Sequence, residues 1–181
     1  MAPLPHRICL IGPECTGKTT LAQRLARELG AAWVPEYARD YAQACNNILT
    51  VADVEPIARG QMASEDAVRD AHRIILDTDL LSTVVYARHY YGACPPWIEE
   101  EARRRRADLY LLMDTDVVWI PDAARDSGDD AREDLFDAFR ATLDEFETNW
   151  TIVSGDWEER WNQLRAIAAR TPNTSSEDGT P

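Results

Sequence analysis

Short apolar runs alternate with amphipathic stretches along most of the chain. Arg7–Gly12 (RICLIG) is rich in branched aliphatic residues and reads as a buried strand. After a short loop, Lys18–Leu29 sets Leu21, Ala22, Leu25, Ala26 and Leu29 at helical spacing, and Gly30 is a natural stop. Ala31–Val34 makes a second strand, closed by Pro35. Val51–His72 reads as helical, with Ile57, Met62, Ala63 and Ala67 turned to the core. Arg73–Asp77 is a third strand, Leu80–Tyr91 a helix ended by Gly92, Pro95–Arg106 a short helix and Asp108–Met113 a fourth strand. A polar stretch over Asp114–Asp130 leads to a helix over Arg132–Phe146, a fifth strand at Thr151–Val153 and a last helix at Trp157–Ala169. Strands that alternate with helices pair in parallel through right-handed crossovers, so the pattern predicts a three-layer α/β domain with a five-stranded parallel sheet over residues 1–170. The end, Thr171–Pro181 (TPNTSSEDGTP), has the composition of a disordered tail.

Composition narrows the classes. At 181 residues and 45% hydrophobic, the chain has one domain's worth of core and needs no metal or disulfide staple. No apolar run approaches a membrane span, and no charged-then-apolar leader opens the sequence. The four cysteines (Cys9, Cys15, Cys45, Cys94) lack C-x-x-C spacing and read as free thiols in a reducing cytoplasm. A net charge of −13 argues against nucleic acid and anionic membranes as partners and leaves the oligomeric state open. Of the 19 basic residues, Lys18 alone is a lysine. A chain that otherwise uses arginine throughout keeps one compact ammonium, and the two groups differ in tight phosphate sites.

That lysine belongs to Gly12-Pro13-Glu14-Cys15-Thr16-Gly17-Lys18-Thr19, which fits G-x-x-x-x-G-K-[ST] between a strand and a helix. The glycines let the loop curl so that backbone N–H groups meet phosphate oxygens, and the helix offers its positive end, including Thr20. Lys18 supplies a mobile cation, and the Thr19 hydroxyl is placed to ligate Mg²⁺. Asp77, just past the third strand, suits the metal's shell; Asp79 suits a helix cap, and spacing alone does not separate the two. Cys15 within the loop is either an oxidation-sensitive position or a tolerated small residue.

Two further segments carry chemistry. In Trp33–Tyr41 (WVPEYARDY), a helix from Glu36 puts Glu36 and Asp40 on one face with Tyr37 and Tyr41 beside them, at the carboxyl end of a strand. A carboxylate there can take a proton from an attacking hydroxyl; equally, acids suit a helix start and the rings suit a core. The stretch from Asp114 to Arg132 has the length of a lid. Arg125 and Arg132 stand in an acidic run, as guanidinium groups that neutralise a transferring phosphoryl would, although Arg132 also suits helix-end ion pairing. The run Arg103–Arg106 follows Glu99–Glu101 and reads as a helix obeying its dipole, not as a nucleic-acid patch. A nucleotide hydrolase and a non-catalytic nucleotide-binding module remain as rivals to a kinase.

The stretches at 12–22, 33–41, Gly60-Gln61, 75–92, 108–126 and 132–146 together resemble the ribosylnicotinamide kinase domain of bacterial NadR-type proteins, within the P-loop nucleoside and nucleotide kinases. The resemblance implies a P-loop NTPase fold with a lid and Mg²⁺-dependent transfer from ATP to the 5′-hydroxyl of nicotinamide riboside, giving nicotinamide mononucleotide. It places ATP at Gly12–Thr20 with Arg132, and gives Lys18, Glu36 and Arg125 the catalytic roles. Glu36 also matches the glutamate of the VPEP segment in deoxynucleoside kinases, which acts as base toward the sugar hydroxyl. Trp33, Tyr37, Asp40, Tyr41, Asp79, Trp119 and Asp122 fall in the acceptor-side segments. The acceptor carries a positive ring, which suits a cluster of acids and aromatic faces. Another nucleoside or nucleotide kinase is the alternative. The adenylyltransferase domain of the full family protein has no room here, so the second step toward NAD is not expected.

Overall fold

The computed structural model describes residues 6–117 and 128–169. Along the chain run β1 (Arg7–Ile11), α1 (Lys18–Leu29), β2 (Ala32–Val34), α2 (Tyr37–Ala44), α3 (Val54–Asp66), β3 (Ile74–Asp77), α4 (Leu80–Tyr91), α5 (Pro96–Arg104), β4 (Leu109–Met113), α6 (Gly128–Glu145), β5 (Trp150–Val153) and α7 (Trp157–Ala169). The strands form one parallel sheet in the order β2-β3-β1-β4-β5. This is the predicted α/β architecture with β1 at its centre.

Alternation along β1 divides the core. Ile8 and Leu10 face α1 and α7, packing with Leu21, Leu25, Ile75, Leu111 and Leu164. Cys9 and Ile11 face the other way, toward α3, α4, α5 and α6, with Leu76, Leu112, Ile98 and Phe139. Both faces are covered, so β1, β3 and β4 are near-continuous apolar runs, as a central parallel strand requires. In register, Leu10 pairs with Asp77, Ile11 with Leu112 and Met113 with Val153, so the carboxyl ends of these strands share one rim.

The helix read from Glu36 is present as α2, with Glu36 at its N-cap position. Two expectations need correction. In α3 the buried row is Val54, Ile57, Ala58, Gln61 and Glu65. Ala63 and Ala67 are exposed and Met62 is only partly buried, because the inward face carries a glutamine and a glutamate that a hydrophobic pattern assigns to solvent. The helix expected from Arg132 starts four residues earlier, at Gly128. Along the Arg103–Arg106 run, Arg103 pairs with Glu145, Arg104 with Glu101, Arg105 with Asp66, and Arg106 donates to the Phe146 carbonyl. No helix among the described residues is long and apolar enough to cross a membrane. The tail beyond Arg170 lies outside the described residues.

Glu65 is fully buried, and burial raises its pKa against the pull of Arg7, whose Nη2 donates to it at 2.7 Å. Breaking such a pair strands a charge. Arg7→Met should therefore lower unfolding free energy by about 3 kcal/mol in urea titrations. Adding Glu65→Gln to the same chain should recover most of that loss, because an amide tolerates the site without a cation.

Candidate active site

The loop after β1 is built from backbone geometry. Gly12 (φ +135°), Cys15 (φ +58°) and Gly17 (φ +84°) take left-handed or mirror-image conformations that turn the chain sharply into α1. A Cβ on Gly12 would lie 2.8 Å from the Met113 carbonyl oxygen, and one on Gly17 would meet the Trp157 ring at 2.3 Å, so neither position admits a side chain. Gly17 caps α1 without any side-chain hydrogen bond to the first N–H groups, which are open to an anion. Lys18 is buried, its Nζ donating to the Pro13 carbonyl at 2.6 Å, and Thr16 Oγ1 donates to the same oxygen at 2.9 Å. Thr19 is half-buried and Thr20 exposed on the first turn.

The structure separates the two aspartates that the sequence left together. Thr78, between them, has φ +68°, an uncommon conformation for a β-branched residue, and it turns the carboxylates to different neighbours. Asp77 is buried beside the phosphate loop. Desolvation pushes its pKa up, while a hydrogen bond with Thr19 and the charge of Lys18 pull it down. Its Oδ1 is buried and has no hydrogen-bond partner. An orphaned carboxylate oxygen next to the P-loop threonine and lysine fits a Mg²⁺ shell completed by phosphate oxygens and water, which needs few protein ligands. Asp79 instead caps α4, accepting from Leu81 N–H at 2.9 Å, and takes the Tyr110 hydroxyl at 2.6 Å. Burial and the nearby charge of Glu65 push its pKa up to about 7.

Beside the loop, on the α2–α3–α4 side, lies a cavity of about 480 Å³. Glu36, Asp53, Asp79, Tyr86, Tyr90 and Tyr91 are among the residues that line it, and no arginine or lysine is among the described lining residues. Glu36 is buried, and its charge reaches Asp77, so it stands between cavity and phosphate loop. Asp53 is held ionised by Thr50 N–H, Thr50 Oγ1 and Tyr41 OH, all of which lower its pKa.

Of the expected acceptor-side residues, the cavity brings together Glu36 and Asp79 and leaves four others outside its wall. Tyr41 donates to Asp53 at 2.9 Å and so acts on the cavity through that carboxylate. Tyr37 packs on Gly60, where a Cβ would meet its ring at 2.1 Å, and its N–H donates to Gln61 Oε1. Asp40 is exposed. Trp33 alternates to the opposite face of the sheet, against the α1 cluster. The tyrosines of α4 supply the rings in their place; their i, i+4 spacing was visible but reads equally as core. Arg132 is buried at the β4 rim, donating to the Thr115 carbonyl at 3.5 Å. Trp119, Asp122 and Arg125 lie outside the described residues.

Sequence reasoning missed Arg160 altogether. It is fully buried on α7 and donates to the carbonyls of Gly155 (2.7 Å), Thr16 (3.3 Å) and Asp114 (3.0 Å), and to Asp116. One guanidinium thus ties the phosphate loop to the exits of β4 and β5. Nothing in WEERW distinguishes it from a surface arginine.

Residues 7–160 match the model of a family described as an AAA domain. The trifunctional NAD biosynthesis/regulator protein NadR of Salmonella typhimurium is 29% identical over 127 residues, which cover 67% of this chain and 31% of that protein. A crystal structure of NadR protein in complex with NR superposes with a TM-score of 0.74 at 25% identity, covering 97% of this chain and 53% of that one. Deoxyadenosine kinase from M. mycoides, with bound products, gives a TM-score of 0.65 at 12% identity, covering 91% of this chain and 99% of that one. The chain therefore spans about a third of the length of the curated NadR relative and about half of the NadR structure.

The position of Asp79 has a measurable consequence. Its folded-state pKa of about 7 stands above the ordinary 3.8, so the folded state binds the proton more tightly, and its contribution to stability is lost as pH rises from about 4 through about 7. Urea midpoints at pH 5 and pH 8 should differ less in Asp79→Asn than in the wild type, with the wild type falling further toward pH 8.

Proposed function

The chain belongs to the AAA domain family, and on that premise we propose that it is an ATP-dependent kinase that phosphorylates the 5′-hydroxyl of nicotinamide riboside to give nicotinamide mononucleotide. The observation that carries the reading is the cavity beside the phosphate loop, lined by three acidic residues and three tyrosines with no described basic residue. Such a wall favours a cationic ring by charge and by aromatic faces, whereas a neutral purine or pyrimidine would be read by amides or guanidinium groups. The likeness to NR-bound NadR supports the same acceptor.

In this mechanism the triphosphate lies on the N–H groups of Gly12–Thr19 and the opening turn of α1, through Thr20. Lys18 leaves the Pro13 carbonyl for the β and γ phosphates. Glu36, at the junction of cavity and loop, accepts the proton of the 5′-hydroxyl as the oxygen attacks in line, and its burial keeps water from competing. Thr19 and Asp77 would hold Mg²⁺, which would supply positive charge against that of the transferring phosphoryl. Arg132 at the β4 rim serves ATP, and Arg125 is assigned to the γ-phosphoryl. Asp79 and Asp53 face the ribose or the ring, with Tyr41 holding Asp53. Trp119 and Asp122 keep an acceptor-side assignment from the resemblance alone. Reduced thiols and ATP as donor fit the cytoplasm.

ATP consumption against a panel of ribosides tests the acceptor. Nicotinamide riboside should be the fastest; faster turnover of thymidine or deoxycytidine, or ATP loss with no riboside present, overturns the proposal. Within that assay Lys18→Ala should abolish turnover. Glu36→Gln should lower kcat by about 10²-fold or more while moving KM much less, and a near-normal kcat removes Glu36 from the base role.

A further inference from the structure

Helix α7 reaches the phosphate loop twice within one turn. Trp157 and Arg160, three residues apart on the helix, meet neighbouring residues of the loop. The Trp157 ring lies over Gly17 and leaves no room for a Cβ there, although the tryptophan itself is half exposed. Arg160 Nη1 donates to the Thr16 carbonyl at 3.3 Å. The rest of the guanidinium is anchored: Nε donates to the Gly155 carbonyl at 2.7 Å, and Nη2 donates to the Asp114 carbonyl at 3.0 Å and to the Asp116 carboxylate. A fully buried, planar fork with its other donors occupied approaches Thr16 from one fixed direction.

Among the described residues no peptide is cis. In a planar trans peptide the C=O and the N–H that follows it point in opposite directions. With the Thr16 oxygen turned to Arg160, the Gly17 N–H is turned away from α7. Glycine is needed at 17 for its φ of +84°, but the same freedom leaves the orientation of the adjoining peptide weakly set by its own backbone. We infer that Arg160 is a positioning residue for the nucleotide: by holding the Thr16 carbonyl it aims the Gly17 N–H at the bound phosphates, with Trp157 packed over the glycine to keep that peptide in place. The inference rests on the loop being the nucleotide site.

Thr16-Gly17 is the one Thr-Gly step in the sequence, so the full chain labelled with carbonyl-¹³C threonine and ¹⁵N glycine gives a single paired amide signal, that of Gly17. In the wild type, Mg²⁺ with AMP-PNP and Mg²⁺ with inorganic tripolyphosphate should each move this amide proton downfield, as a hydrogen bond to a charged oxygen does. Arg160→Lys keeps the charge but not the fork. It should shrink that shift at saturation and weaken both ligands about tenfold in calorimetric titration. The KM for ATP should rise by the same factor while kcat and the KM for the riboside hold. Trp157→Ala, at a half-exposed position, should weaken both ligands by a smaller factor, and it carries the test if Arg160→Lys does not fold. A loss confined to AMP-PNP in Trp157→Ala means that the ring serves the base and not the loop, and overturns the inference. Wild-type affinities and an unchanged Gly17 signal in Arg160→Lys overturn it too, even with a lowered urea midpoint, since that is the pattern of an arginine that only supports the fold. A wild type that binds both ligands without moving the Gly17 signal fails this inference only; one that binds neither fails the phosphate-loop reading and this inference with it.

Discussion

The parallel register between β1 and its two neighbours sets everything at the candidate site. Because Leu10 stands opposite Asp77, the Thr78 N–H bonds the Leu10 carbonyl at 3.0 Å, and β3 ends beside the first residue of the phosphate loop. The side-chain period in a strand is two, so a slip of one residue would swap every core side chain between the two helical layers. It would also carry Asp77 away from Lys18 and Thr19. The apolar faces of β1 fix that register by burial: Ile8 and Leu10 fill one layer, Cys9 and Ile11 the other. Placement of the Asp77 carboxylate is thus a by-product of core packing, which is far stronger than any single contact at the site.

Legibility in the sequence follows the same division. The phosphate loop was plain because its motif residues answer local demands, glycine for a positive φ above all, and sit between a strand and a helix. Helices α1, α4 and α7 were read with their observed bounds, since glycines, a capping aspartate and hydrophobic spacing are local signals too. What failed to show depended on partners distant in the chain. Tyr37 and Tyr41 sit next to Glu36 in sequence, yet Gly60 draws one ring away and Asp53 holds the other. Whether Asp77 or Asp79 faces the phosphate loop turned on the left-handed Thr78, which no propensity predicts. Ala63 and Ala67 looked like core because alanine is apolar, whereas Gln61 and Glu65 take the inward positions through a polar network that reaches Arg7.

That network also explains how an acidic protein keeps carboxylates inside. Burial raises the pKa of both Glu65 and Asp79, the charge of Glu65 raises that of Asp79 further, and Arg7, Gln61, Arg105, Tyr110 and the Leu81 N–H restrain the effect. Gln61 spans from Glu65 to the Thr78 carbonyl at the cavity floor and also receives Tyr37 N–H. Two acids of the cavity are therefore shifted in opposite directions: Asp53 is lowered by its hydrogen bonds from Thr50 and Tyr41, while burial and the charge of Glu65 raise Asp79 to about 7.

Arg160 gives α7 a standing that its place at the end of the fold would not suggest. Its guanidinium is the shared donor for carbonyls from three separate loops, and the family match stops at this same residue. The smallest unit able to cradle a nucleotide must therefore reach at least through this turn of α7. A version trimmed after β5 would keep the whole sheet and every motif residue of the loop, yet lose the hub on which the loop's curvature is hung.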